Sequence, residues 1–151
     1  MIDQRTAPYA ALFLRCTLGF LAIAHLYWKF YIRNDGAGLM SWWENLNNNG
    51  YPDFVVWYVL SAEFAGALLL IPGIYTRWVA LYSVPLMVAA AQFWFSRNGF
   101  FFTTATGPAA ELPFLWTMAL LVQAGVGDGA YALKASPPFP FLDRGRTVPA
   151  E

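Results

Sequence analysis

The sequence is poor in the groups from which soluble enzymes and nucleic-acid binders are built. Of its 151 residues only 12% are charged, and nine Lys and Arg balance nine Asp and Glu, so the formal net charge is zero. No basic field exists to hold nucleic acid, and no acidic tail invites a basic partner. Cysteine is reduced to Cys16, which excludes an internal disulfide and a cysteine-built metal or iron–sulfur centre within one chain. Histidine is reduced to His25, and Met40, Met87 and Met118 show no recognisable ligand spacing, so no haem or metal site is expected. A Gly-rich dinucleotide fingerprint is missing as well, and any flavin would therefore belong to a partner.

What the chain has instead is apolar surface. Hydrophobic residues make up 58% and aromatic residues 19%, with seven Trp. The mean hydropathy is +0.44. A soluble fold of this length cannot hide so much apolar area, whereas a bilayer accepts it and gathers amphipathic rings at its headgroup level. Apolar runs at about Tyr9–Tyr27, Phe54–Leu70, Trp78–Phe95 and Pro108–Val126 approach the roughly 20 helical residues needed to cross a hydrocarbon core. The reading is an all-α integral membrane four-helix bundle, with residues 1–130 forming the transmembrane domain and 131–151 a Pro-rich cytoplasmic tail. Ala22-Ile23-Ala24 imitates a signal-peptide cleavage site, but Asp3 ahead of the run and Arg15 inside it are contrary to a secretory leader.

Punctuation between the spans is clear. Asp53 is placed to cap the second helix, Pro72-Gly73 to stop it, Thr106 to cap the fourth and Gly127 to end it. Pro85 inside the third run is tolerated in a membrane helix whose neighbours satisfy the freed carbonyl. Arg5, Arg77, Lys134, Arg144 and Arg146 fall on one side of the membrane against Lys29, Arg33 and Arg97 on the other, which puts both termini in the cytoplasm.

Two connections are richer than plain loops. Between the first two spans, Gly38–Leu46 sets Leu39, Trp42, Trp43 and Leu46 on one helical side, the pattern of a short interfacial helix. It serves either as an anchor that fixes helix tilt or as a cover over a ligand pocket. Between the last two spans, Phe93, Trp94, Phe95, Phe100, Phe101 and Phe102 surround Asn98-Gly99 and offer flat apolar surfaces for a ring such as a quinone.

The sharpest signal is the set of ionisable residues inside the apolar runs. A charge at mid-bilayer costs about 2.5 to 3.5 kcal/mol on insertion scales, so each must face the bundle interior and find a partner. On the first helix, Lys29 falls about 40° and His25 about 80° from Arg15, placing all three on one face. Lys29 is near enough to the helix end to snorkel. Glu63 sits in the middle of the second run, and Arg15 or His25 is the simplest partner for it. Ala65, Gly66 and Ala67 follow and let another backbone come close. Gln92, Glu111 and Gln123 complete the polar set; Glu111 also suits a first helical turn, and Asp128 reads as a helix terminator.

These residues carry a resemblance. Arg15-Cys16-Thr17-Leu18-Gly19-Phe20 leading to His25 and Lys29, then Glu63-Phe64-Ala65-Gly66-Ala67-Leu68-Leu69-Leu70-Ile71-Pro72-Gly73 with Thr76-Arg77, resembles the DoxX family. Gly125-Val126-Gly127-Asp128-Gly129 is similar to that family's end, so the likeness covers roughly residues 10 to 130. Leu26 departs from it, standing where the family often has Gly. The resemblance implies a four-helix protein of the bacterial or archaeal inner membrane, related to the membrane subunits of thiosulfate:quinone oxidoreductases. Its polar positions correspond here to Arg15, His25, Lys29, Glu63 and Arg77.

The functional expectation is a membrane subunit of a redox complex that binds a quinone or similar apolar redox molecule, with Arg15, Lys29, Arg77, Gln92, Trp94 and Phe101 as ligand contacts. Protons must accompany quinone reduction. Histidine suits proton exchange near neutral pH and a sheltered carboxyl is a second carrier, so His25 and Glu63 are the catalytic candidates. Expected partners are the bilayer, a membrane or membrane-associated redox subunit, and further copies of the chain. A non-catalytic scaffold is the alternative, for which Pro137-Pro138-Phe139-Pro140-Phe141 would be a docking segment. A small-solute transporter is a third reading, although no paired broken helices are visible.

Overall fold

Long apolar runs have to satisfy every backbone donor and acceptor internally once water is gone, and the helix is the local way to do so. The computed structural model of the chain describes residues 3–32, 38–103, 105 and 107–139. Arg33, Thr106, Pro140, Phe141, Arg144 and Arg146, to which the sequence assigns topological, capping or docking roles, lie outside the described residues.

Helix α1, Ala7–Tyr27, starts with Pro8 in its first turn and runs directly into a π-helical segment, Trp28–Ile32. The short helix α2, Gly38–Asn48, follows. Helix α3, Asp53–Ala65, is likewise prolonged by a π-helical segment, Gly66–Leu70. Helix α4, Thr76–Asn98, carries Pro85 within it, and α5, Glu111–Val126, closes the bundle. The described residues form five helices and no strand. Among the described residues, three stretches are long and apolar enough to cross a membrane: Ala7–Ile32, Asp53–Leu70 and Thr76–Asn98. The fourth is apolar but shorter than its sequence pattern, because Pro108–Ala110 precede the helix instead of opening it.

The terminators act as their chemistry dictates. Gly73 takes a φ of 72°, which only glycine adopts cheaply, and the Gly73 and Ile74 amides donate to the Leu70 and Leu69 carbonyls at 3.1 and 2.9 Å. Gly127, with a φ of 91°, ends α5. Asp53 departs from its expected role. Pro52 is the extended residue before α3, and the Asp53 carboxylate instead accepts from Trp43 Nε1 at 2.9 Å and Asn47 Nδ2 at 3.0 Å, tying α2 to the start of α3.

Helices α1, α3, α4 and α5 pack in a ring in that order, and α2 lies across one end against the close of α1 and the start of α3. That end, which also holds the α4–α5 connection, is called the loop end; the end with Pro8, the α3–α4 turn and the close of α5 is called the tail end. Leu18, Leu70, Ala80, Met87, Trp116 and Leu120 belong to the central core. Close helix approach needs small residues: a Cβ on Gly66 would stand 3.3 Å from the Ala22 Cβ, and one on Gly19 would stand 2.6 Å from Ile71 Cγ1. Outward-facing Phe13, Phe20, Leu68, Leu115 and Val122 are exposed, the pattern of a bundle whose solvent is lipid.

Helix α2 turns its apolar side inward as its spacing predicts. Trp42 packs with Val56 and Leu60, flanked by Leu39, Trp43 and Leu46.

Candidate ligand cavity and buried ion pair

Glu63 is buried at the centre of the bundle, and its partner is Lys29. The Lys29 ammonium lies 2.6 Å from both carboxylate oxygens of Glu63, and each side chain is only 6% exposed. This corrects the expected pairing with Arg15 or His25. Lys29 does not snorkel: the Glu63 carboxylate holds its ammonium inside the bundle. A second contact holds it: the ammonium stands 4.0 Å from the centroid of the Trp42 ring, a cation–π geometry. Both π-helical segments adjoin the pair, one containing Lys29 and the other beginning three residues after Glu63. Such segments often mark functional positions in helices.

The pair forms part of the floor of a cavity of about 1020 Å³ that opens toward the loop end. His25 and Trp116 stand beside it, their rings in an edge contact with centroids 5.0 Å apart. The walls are aromatic, with Trp28, Trp42, Phe93, Trp94 and Phe102, and the polar lining includes Asn45, Asn49, Arg97 and Glu111. Across this region Arg97 donates to Asn49 Oδ1 and lies 3.6 Å over the Phe93 ring, joining α4 to the segment after α2. A space of this size accommodates a small organic molecule.

Four of the eight residues singled out in the sequence, His25, Lys29, Glu63 and Trp94, line this cavity. The other four do not. Gln92 is exposed on α4, and Phe101 is 71% exposed and packs edge-on to Phe100. Arg15 and Arg77 belong to the tail end. The Arg15 guanidinium, 1% exposed, donates to the Asp128 carbonyl and, at 2.9 Å, to the Ala130 carbonyl. Arg77 Nη1 reaches the Ala124 carbonyl at 3.3 Å. Trp116, Asn45 and Tyr51 are lining residues that sequence reasoning did not assign. Trp116 falls inside an apolar run and carries no charge to single it out, and Asn45 reads as the solvated side of α2.

Asp128 does more than end a helix. Its carboxylate accepts from the Thr76 amide at 3.1 Å, the Ser136 amide at 2.8 Å and the Ser136 hydroxyl at 2.6 Å. Partial burial pushes this carboxyl up, but the hydrogen bonds from Ser136 and Thr76 outweigh it and hold it below the ordinary aspartate range.

The DoxX family model matches residues 10–102. The chain belongs to the DoxX family. The matched segment of this DoxX protein includes the Lys29–Glu63 pair, His25 and both π-helical segments. It ends before α5, so the likeness read in Gly125–Gly129 lies beyond it. No curated protein and no solved structure matches the chain. Family membership and three long apolar helices make it a multi-pass membrane protein.

Proposed function

We propose that this DoxX-family protein is a membrane subunit of a redox complex and that it binds a quinone, or a similar apolar redox molecule, in the cavity at its loop end. The observation that carries the reading is the joining of an aromatic-walled space to a floor with two kinds of proton-exchanging group, His25 and Glu63. Flat rings stack on Trp and Phe, and an apolar tail lies at ease among the remaining lining. When bound, a quinone supplies the two-electron chemistry, taking two electrons from a partner subunit and two protons to become a quinol. The chain's own residues orient the head group and pass protons. His25 presents an imidazole at the floor, Glu63 is the carboxyl from which a proton is exchanged, and Lys29 balances its charge. In this reading the protein sits in a bacterial or archaeal inner membrane with both termini cytoplasmic, and the electron donor docks from outside the bundle.

Purification in mild detergent followed by mass analysis of co-extracted small molecules tests it. A quinone present with the native chain and lost with His25→Ala or Glu63→Gln, while the protein still elutes as a folded species, supports the role. Native protein that carries no quinone and binds none when it is added would remove it.

A further inference from the structure

The space around the buried pair is open at one end, and buried, mostly apolar side chains lie at the other. Its lining reaches no deeper than His25, Glu63, Leu86 and Trp116. Immediately below is a void of about 20 Å³ whose polar neighbours are Glu63 and Ser83. That volume suffices for a single water with two polar partners. The Ser83 hydroxyl already donates to the Val79 carbonyl at 3.0 Å, so its oxygen remains only as an acceptor. Beneath the void, Leu18, Leu70, Ala80 and Leu120 meet from all four helices, each no more than 2% exposed. Thr117, beside Trp116, is also buried, and its hydroxyl donates to the Pro113 carbonyl at 2.8 Å on the loop side of Leu120; beyond the layer the buried polar groups among the described residues are Arg15, Thr76 and Gln123 at the tail end. Along α1, His25 and Arg15 are separated by about 15 Å of helix rise. The Arg15 guanidinium donates to the Asp128 and Ala130 carbonyls and the Gln123 amide to the Gly127 carbonyl, while Arg15 Nε, Thr76 Oγ1 and Gln123 Oε1 stay buried without a protein partner on that side of the layer.

We infer that the cavity is a blind vestibule: water, protons and ligand reach His25, Lys29 and Glu63 from the loop end alone, and the layer of Leu18, Leu70, Ala80 and Leu120 seals them from the tail end. A proton passes between groups about 3 Å apart in a hydrogen-bonded file, and this layer contains no side chain able to continue one. A charged solute crossing it would lose its hydration with nothing to replace it. The bundle is accordingly no through-path for solutes, and any proton taken up or released at the floor is exchanged with a single face of the membrane. The inference holds whatever molecule occupies the cavity, so its failure and the failure of quinone binding are separate results.

The test is sided thiol labelling of the full-length chain in proteoliposomes. In a Cys16→Ser background, Asn48→Cys and Arg5→Cys mark the loop and tail faces, and Met87→Cys places a thiol at the cavity floor. A sulfonated, membrane-impermeant maleimide is applied to each face in turn. The Met87→Cys thiol is expected to react about tenfold or more faster from the loop face, because labelling through the sealed layer waits on local opening. The Ala80→Cys thiol, within the layer, is expected to stay unlabelled from either face. Equal rates from both faces at Met87→Cys, or brisk labelling of Ala80→Cys, would overturn the inference. Should Met87→Cys fail to fold, Ala90→Cys, a smaller change on the cavity wall, is read by the same criterion.

Discussion

At the scale of single residues the energetic centre is the Lys29–Glu63 pair. Removing one charge of a buried pair leaves the other uncompensated, which costs about 3 to 5 kcal/mol, whereas replacing both with apolar side chains is often neutral. Glu63→Gln should therefore lower the unfolding midpoint in detergent sharply, while Lys29→Met combined with Glu63→Leu should recover most of it and still bind no quinone. Recovery of binding in that double variant would show that the pair serves register alone. A second residue responds to pH. The folded-state Asp128 carboxyl titrates below its unfolded value, so its contribution is fully present above the ordinary aspartate range and is lost as pH falls through the lower, folded value. Acidification below about pH 4 should loosen the segment around Ser136. Limited proteolysis at acid pH is the readout, and Asp128→Asn should show the loosened pattern already at pH 7.

At the scale of elements, α2 and the π-helical segments decide what the sequence alone reveals. The helices, their glycine and proline stops and the inward side of α2 were legible, because periodicity and punctuation are local properties. The partner of Glu63 was not. A helical wheel places Arg15, His25 and Lys29 on one face but carries no information on how far α1 slides against α3. The π-helical segment at Trp28–Ile32, which contains Lys29, has no marker in the composition either. Arg15 eluded sequence reasoning for another reason: its acceptors are carbonyls, which every residue has and no pattern marks. Two predictions belong here. Asp53→Ala removes the acceptor for Trp43 and Asn47 and should cost about 1 kcal/mol. Hydrogen exchange should rise in α2 while α4 stays protected. Gly19→Val drives a branched side chain into Ile71, where overpacking costs about 1 to 3 kcal/mol, read as a lower unfolding midpoint.

At the scale of the whole molecule the two ends of the bundle do different work. The loop end is hollow, aromatic and polar at its rim; the tail end is stitched shut by the stretch after α5. There the Ala130 amide donates to the Pro8 carbonyl at 2.9 Å, Leu133 to Pro72 at 3.0 Å and Lys134 to Gly73 at 3.1 Å. Phe139 packs against Trp78, and Trp78 Nε1 reaches the Pro137 carbonyl at 3.3 Å, so this part of the Pro-rich stretch is engaged with its own bundle. The stitching has a bearing on biogenesis. Arg15 lies on α1 and is made before the other described helices, yet the carbonyls that receive its guanidinium are separated from it by 113 and 115 positions. Until α5 and the residues after it have been delivered, that cation must be sheltered by headgroups, water or an insertion chaperone, and only then does the nascent protein acquire its resting place for the charge.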